Sequence, residues 1–61
     1  MKIRKMVEII TDSFEEQQFI LSRFPDSFWF VEGDNKTRFY ISALQEGKAI
    51  AALNEWKEYN G

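Results

Sequence analysis

The 61-residue chain contains no cysteine and no histidine. Without cysteine it has no disulfide and no thiolate metal ligand, a composition that fits a reducing compartment. Without histidine it lacks the commonest general base and the commonest transition-metal ligand, so we expect no enzyme, no metal site and no cofactor. The carboxylate pairs Glu15/Glu16 and Glu55/Glu58 have ordinary explanations, at the start of a helix and on a solvated helix face.

Long apolar runs are absent as well. No stretch approaches the roughly 20 apolar residues of a membrane span. The basic N-terminal residues are not followed by an apolar run as long as that of a signal peptide, because Glu8 and Asp12 interrupt it. The formal net charge is -2, which argues against a general nucleic-acid binder. We therefore expect a cytoplasmic protein with no membrane partner. The length predicts a single domain over residues 1–61, and the 44% of hydrophobic residues favours a folded chain.

The first predicted element is a strand over residues 2–11, which are rich in β-branched side chains and contain no chain breaker. Its two-residue period separates two faces. One face carries Ile3, Val7 and Ile9. The other carries Arg4, Met6, Glu8 and Ile10. Ser13 and Glu16 then form a capping box at the start of a helix that Pro25 ends.

A β-hairpin is predicted next, with strands over residues 27–32 and 37–43 and turn residues between them. In the favoured register Glu32 faces Thr37, and a shift by one residue would mix the two faces. One face of this hairpin carries Phe28, Phe30, Phe39 and Ile41. The other carries Trp29, Val31, Arg38 and Tyr40.

The last element is predicted to be a helix from Ala43 or Leu44 to Tyr59, capped by Ser42. The alternative is a turn at Gly47 followed by a fourth strand, which the alanines of this segment disfavour. The order is then β-α-β-β-α. A right-handed crossover places strand one beside strand three, which gives an α+β fold with a three-stranded antiparallel sheet of order 1-3-2 and both helices on one face.

Two helices on one face leave the other face of the sheet bare. Its predicted side chains form the candidate binding site: Arg4, Met6, Ile10, Trp29, Val31, Arg38 and Tyr40. Monomers seldom expose an apolar and aromatic patch of this kind, and tryptophan, tyrosine, methionine and arginine are enriched in interface cores.

Three interpretations of this face stay open. Trp29 and Tyr40 could be only a cross-strand pair that stabilises the hairpin. The face could bind protein, as a homodimer packed sheet to sheet or as a docking surface for a different partner. It could bind single-stranded nucleic acid, with bases stacked on the aromatic rings and phosphates at Lys2, Arg4, Lys36 and Arg38. We favour protein binding by a small inhibitor or regulator that self-associates through this face, a kind of protein also expected from phages and mobile elements.

Overall fold

A computed structural model describes residues 1–60. Its elements follow the predicted order, strand, helix, strand, strand, helix. They are β1 (Met6–Thr11), α1 (Phe14–Arg23), β2 (Phe28–Gly33), β3 (Lys36–Ser42) and α2 (Glu46–Asn60), the last preceded by a 3-10 turn over Ala43–Gln45. Within the described residues the strands form one three-stranded antiparallel sheet of order β1-β3-β2. The predicted α+β fold is thus confirmed.

The first strand is shorter than predicted. Met6, where β1 begins, is paired with Ser42, and after Ser42 the chain turns into the final helix. Within the described part of the chain, no strand therefore lies beside residues 2–5, although the Lys5 carbonyl accepts a hydrogen bond of 3.1 Å from the Ala43 N–H. The basic segment Lys2–Lys5 lies exposed beyond the end of the sheet.

Serine side chains cap α1 and the 3-10 turn that leads into α2, and α2 itself begins at Glu46, later than the predicted Ala43 or Leu44. The Oγ of Ser13 accepts a hydrogen bond of 3.2 Å from the Glu16 N–H, and the Oγ of Ser42 accepts one of 3.2 Å from the Leu44 N–H. Gly47 lies inside α2, so the alternative of a fourth strand is wrong. Among residues 1–60, no helix combines the length and the apolar character that crossing a membrane requires.

The core lies between the two helices and one face of β1 and β3. Phe39, in the middle of β3, is fully buried. The core cluster consists of Ile9, Ile20, Phe24, Phe39, Ile41, Ala49 and Ala52. Because both helices contribute to a cluster with side chains from one sheet face, both pack on that face. Every residue of β2 is exposed, so the helices cover β1 and β3 but leave β2 bare.

The hairpin turns more tightly than the sequence suggested. Gly33 is paired with Lys36, which leaves only Asp34 and Asn35 in the turn. Both turn residues have positive φ, 51° and 67°. This is the backbone of a type I′ hairpin turn, whose twist matches that of the flanking strands, and aspartate and asparagine tolerate it well.

A β-bulge then changes the register of β2. If pairing continued regularly from Gly33, Val31 would face Arg38, as predicted. Instead Val31 faces Thr37, because the irregularity between Val31 and Gly33 makes Glu32 an extra residue on β2. The predicted register is therefore wrong for the whole strand beyond the bulge.

This one-residue shift exchanges the two faces of β2. The prediction that Trp29 and Val31 lie on the bare face of the sheet is wrong. Trp29 is paired with Phe39 on the helix-bearing face, with the two ring centroids 6.0 Å apart. Phe28 and Phe30 lie on the bare face in their place.

Candidate interaction surface

The bare face of the sheet, called the open face below, is assembled from all three strands. It carries Met6, Glu8, Ile10, Phe28, Phe30, Arg38 and Tyr40. Four of these side chains are large and apolar, and their exposed fractions run from 42% for Phe30 to 68% for Phe28. The two edge strands supply these apolar groups, while the central strand β3 supplies Arg38 and Tyr40.

Three aromatic rings meet on the open face. The Tyr40 ring lies 6.4 Å from the Phe28 ring and 6.0 Å from the Phe30 ring, measured between centroids. The Phe30 and Tyr40 rings are nearly parallel, at 21°. These separations are within the range of favourable aromatic pairs. They give the half of the face nearest β2 a continuous aromatic surface.

Arg38 is held between two carboxylates. Its Nε donates to the Glu32 Oε2 over 2.6 Å, and its Nη1 donates to the Glu8 Oε1 over 3.1 Å. The hydrogen bond from Arg38 lowers the pKa of Glu32, and the same bond raises the pKa of Arg38. The Arg38 cation therefore has two carboxylate partners, and the three groups together are net negative.

Glu8 also acts on Tyr40, its partner across the β1–β3 pair. A side-chain hydrogen bond with the Glu8 carboxylate raises the pKa of the Tyr40 phenol, because the carboxylate accepts from the protonated form and repels the phenolate. Glu8 thus connects the arginine to the aromatic group.

The structure brings together most of the predicted site. Met6, Ile10, Arg38 and Tyr40 share the open face. Arg4 lies beyond the end of β1, where it lines a cleft of about 370 Å³ together with Met6 and Tyr40. Trp29 and Val31 are separated from these residues by the sheet itself.

Sequence reasoning missed Phe28 and Phe30 as members of the face. Both stand in a run of four consecutive apolar residues, Phe28–Val31, in which a two-residue period cannot distinguish one face from the other. The available signal was the sequence Gly33-Asp34-Asn35. Three residues that tolerate positive φ favour a tight turn with a bulge beside it over a loop of four residues.

A second aromatic cluster lies where α1 and α2 meet. The Phe19 and Trp56 ring centroids are 5.1 Å apart, and the Trp56 and Tyr59 centroids are 6.3 Å apart. The Arg23 guanidinium lies 4.8 Å from the centre of the Phe19 ring and pairs with Glu55. These contacts join the two helices, so the cluster has a structural explanation that the open face lacks.

The chemistry that the open face offers is apolar contact and ring stacking beside the net-negative Glu8–Arg38–Glu32 network. Within residues 1–60, no three side chains of the histidine, cysteine, aspartate or glutamate type are grouped so that they could hold a metal ion. The fold and this surface define a small α+β protein with an uncovered sheet face. No protein-family model matches the chain, and no match was found among curated proteins or among solved structures.

Proposed function

We propose that this protein is a small non-enzymatic binding module of the cytoplasm, which inhibits or regulates a partner protein by occupying its surface with the open face. The observation that carries the proposal is the group of exposed apolar side chains on that face: Met6, Ile10, Phe28 and Phe30. Exposed apolar patches framed by polar groups mark interaction sites in soluble proteins. Aromatic residues, methionine and arginine are also the types enriched in interface cores.

The solvent-accessible surface of the chain is larger than that of a compact monomer, which supports the proposal that a partner covers part of it. The chain exposes 4825 Å², whereas a compact monomer of this mass is expected to expose about 4,200 Å². The molecule is correspondingly flat, with extents of 42 × 26 × 14 Å. The excess approaches the roughly 800 Å² that each partner buries in a standard protein–protein interface.

The charges of the face favour protein over nucleic acid. A single strand could stack bases on Phe28, Phe30 and Tyr40, but its phosphates need cations that are free to meet them. Arg38 already has two carboxylate partners, and the exposed cations Lys2, Arg4 and Lys5 lie beyond the end of the sheet. The Glu8–Arg38–Glu32 network contains one guanidinium and two carboxylates, so it is net negative and disfavours phosphate groups.

The exposed apolar side chains of the face allow it to close on a second copy of itself. The Arg38 guanidinium is already hydrogen-bonded to Glu8 and Glu32 of its own face, so burial in a dimer would not leave it unpaired. We therefore propose a homodimer packed face to face as one form of this docking.

Light scattering tests the homodimer. The native chain should have at least the mass of two chains, and Ile10→Glu or Phe28→Glu should halve its mass by placing an unmatched charge in the interface. Ile50→Glu is the matched control, because Ile50 is similarly exposed but lies on α2, away from the open face. Native and Phe28→Glu chains of equal mass would contradict the face-to-face dimer.

Docking on a different protein is tested by affinity capture with quantitative mass spectrometry. A partner of the open face should be captured by the native chain and by Ile50→Glu, and lost with Phe28→Glu. Capture that is equal with all three chains would contradict docking through this face. Binding of a labelled single-stranded oligonucleotide at low salt, abolished by Phe28→Glu, would instead assign the face to nucleic acid.

A further inference from the structure

The strand β2 is an unprotected edge of the sheet. It has β3 on one side and, among residues 1–60, no strand on the other. Trp29 and Val31 on its helix-bearing face are 38% and 58% exposed, and the phenylalanines on its open face are exposed too. Natural edge strands are normally blunted by charged residues, proline, a β-bulge or a covering element, and β2 has its bulge and its charge only near one end, at Glu32. The stretch Phe28–Val31 carries no such residue, so its outer backbone groups offer a template for another strand.

The segment that contains this edge is acidic, although Lys36 lies opposite Gly33 and Arg38 pairs with Glu32. The segment from Pro25 to Asn35 contains Asp26, Glu32 and Asp34 and no basic residue. Pairing β2 with β2 of a second copy would bring these carboxylates against the same carboxylates, which is unfavourable for directly opposed strands. The edge therefore favours a strand that carries positive charge.

A strand-forming segment with that charge is present in the same chain. Lys2–Lys5 continues the alternating pattern of β1 and contains three basic residues, yet it lies exposed outside the sheet. Its apolar residue, Ile3, is almost completely exposed. Among the described residues, the molecule thus has two unpaired elements of opposite charge. One is the basic segment Lys2–Lys5, and the other is the acidic outer edge of β2.

The segment cannot reach β2 of its own chain. Lys5 is held at the end of β1 by the bond to Ala43. The outer side of β2 lies three strand spacings from β1, about 14 Å, because β3 stands between them. Residues 2–4 span at most about 11 Å when fully extended.

We infer that the segment Lys2–Lys5 of one chain adds as a strand to the β2 edge of a second copy. Ile3 packs on Trp29 and Val31, the exposed apolar side chains of β2 on the helix-bearing face, and the basic side chains lie near Asp26 and Asp34. Reciprocal exchange of the two segments closes a two-fold dimer. This contact uses the edge of the sheet, leaves the open face accessible, and does not depend on the proposed function.

Two complementary variants test the contact. The segment variant carries Lys2→Glu, Arg4→Glu and Lys5→Glu with a native edge. The edge variant carries Asp26→Lys and Asp34→Asn with a native segment, and asparagine preserves the positive φ of the turn. Each variant alone should associate about tenfold more weakly than the native chain, as expected for the loss of a few exposed ion pairs.

An equimolar mixture of the two variants is the decisive sample. It combines one native segment with one native edge, so association should return in the mixture. Association should also weaken as salt is added. Lys57→Glu, which alters charge at the far end of α2, should behave as the native chain. A mixture that associates no better than its components would overturn the inference.

Amide hydrogen exchange on the native chain gives a second measurement that needs no variant. Protection of alternate amides in Phe28–Val31, and of amides in Lys2–Lys5, should rise with protein concentration. Exchange independent of concentration overturns the inference. Loss of native association on Ile10→Glu, with no effect of the segment and edge variants, would also overturn it while supporting the open-face dimer.

Discussion

The Phe30 ring stacks on the Tyr40 ring at 6.0 Å, although the two residues are not directly paired. Phe30 is paired with Arg38, and Tyr40 is paired with Phe28. Tyr40 therefore contacts one phenylalanine across the strands and another on the diagonal, a distance that aromatic side chains readily bridge. This arrangement exists only because the bulge at Glu32 turns both phenylalanines toward the open face.

Two glycine substitutions should change stability in opposite directions. Added methyl groups at Gly33 and Gly47 would meet no atom within 4 Å, so steric clashes do not contribute to the difference between the two substitutions. Gly33 has a φ of 104°, and Gly33→Ala should destabilise the fold by about 1 kcal/mol or more. Gly47 lies in α2, and Gly47→Ala should stabilise it by about 0.5–1 kcal/mol. Urea denaturation measures both, and a Gly33→Ala variant as stable as the native chain would contradict the strained bulge.

Two phenylalanines should differ sharply in what they contribute to stability. Phe39 is fully buried at the centre of the core, and Phe39→Ala should cost about 3–5 kcal/mol, enough to unfold much of so small a domain. Phe30→Ala removes an exposed ring and should cost about 0.5–1.5 kcal/mol. Thermal unfolding followed by circular dichroism compares them. Equal losses would show that Phe30, too, belongs to the core.

Tyr40 should ionise at a higher pH than an ordinary tyrosine, because Glu8 accepts a hydrogen bond from its phenol. The raised pKa means that this contact stabilises the fold below the unfolded pKa of tyrosine, and that the stability is lost as the pH rises through the folded pKa. Absorbance of the phenolate in a Tyr59→Phe background measures the pKa of Tyr40. Glu8→Gln should lower it, and an unchanged value would disprove the role of Glu8.

Glu32 should respond at the opposite end of the pH scale. Arg38 lowers its pKa, so the ion pair stabilises the fold above the unfolded pKa of glutamate and is lost as the pH falls through the lower folded value. Arg38→Gln should return the pKa of Glu32 toward its ordinary value, as read from the NMR shift of its carboxyl carbon. Glu15, on the first turn of α1 and outside the network, serves as the internal reference.

The prediction succeeded for elements in which buried and exposed positions differ clearly in residue type. In β1, Ile9 is buried and its neighbours Glu8 and Ile10 are exposed, so the two-residue period identified the faces. The start of α1 was predictable because Ser13 caps it by local hydrogen bonding. What failed at β1 was its length, because the strand can extend only as far as β3 offers a partner.

The candidate site was predicted in part, for the same reason. Met6, Ile10, Arg38 and Tyr40 were all placed on the correct face. Apolar and polar residues alternate in β3, and in β1 the polar Glu8 marks the open face on which Met6 and Ile10 also lie. Across β2 the alternation disappears, and there the prediction chose the wrong pair of aromatic residues.

The sequence by itself determined the type and order of the elements, the caps, the faces of β1 and β3, and the absence of cysteine and histidine chemistry. Only the tertiary structure decided which way β2 faces. Phe28–Val31 is apolar at every position, so either set of alternate side chains could pack against the helices. The positive φ angles at Gly33, Asp34 and Asn35 and the extra residue at Glu32 set the register. That register places Trp29 beside Phe39 and turns Phe28 and Phe30 to the open face.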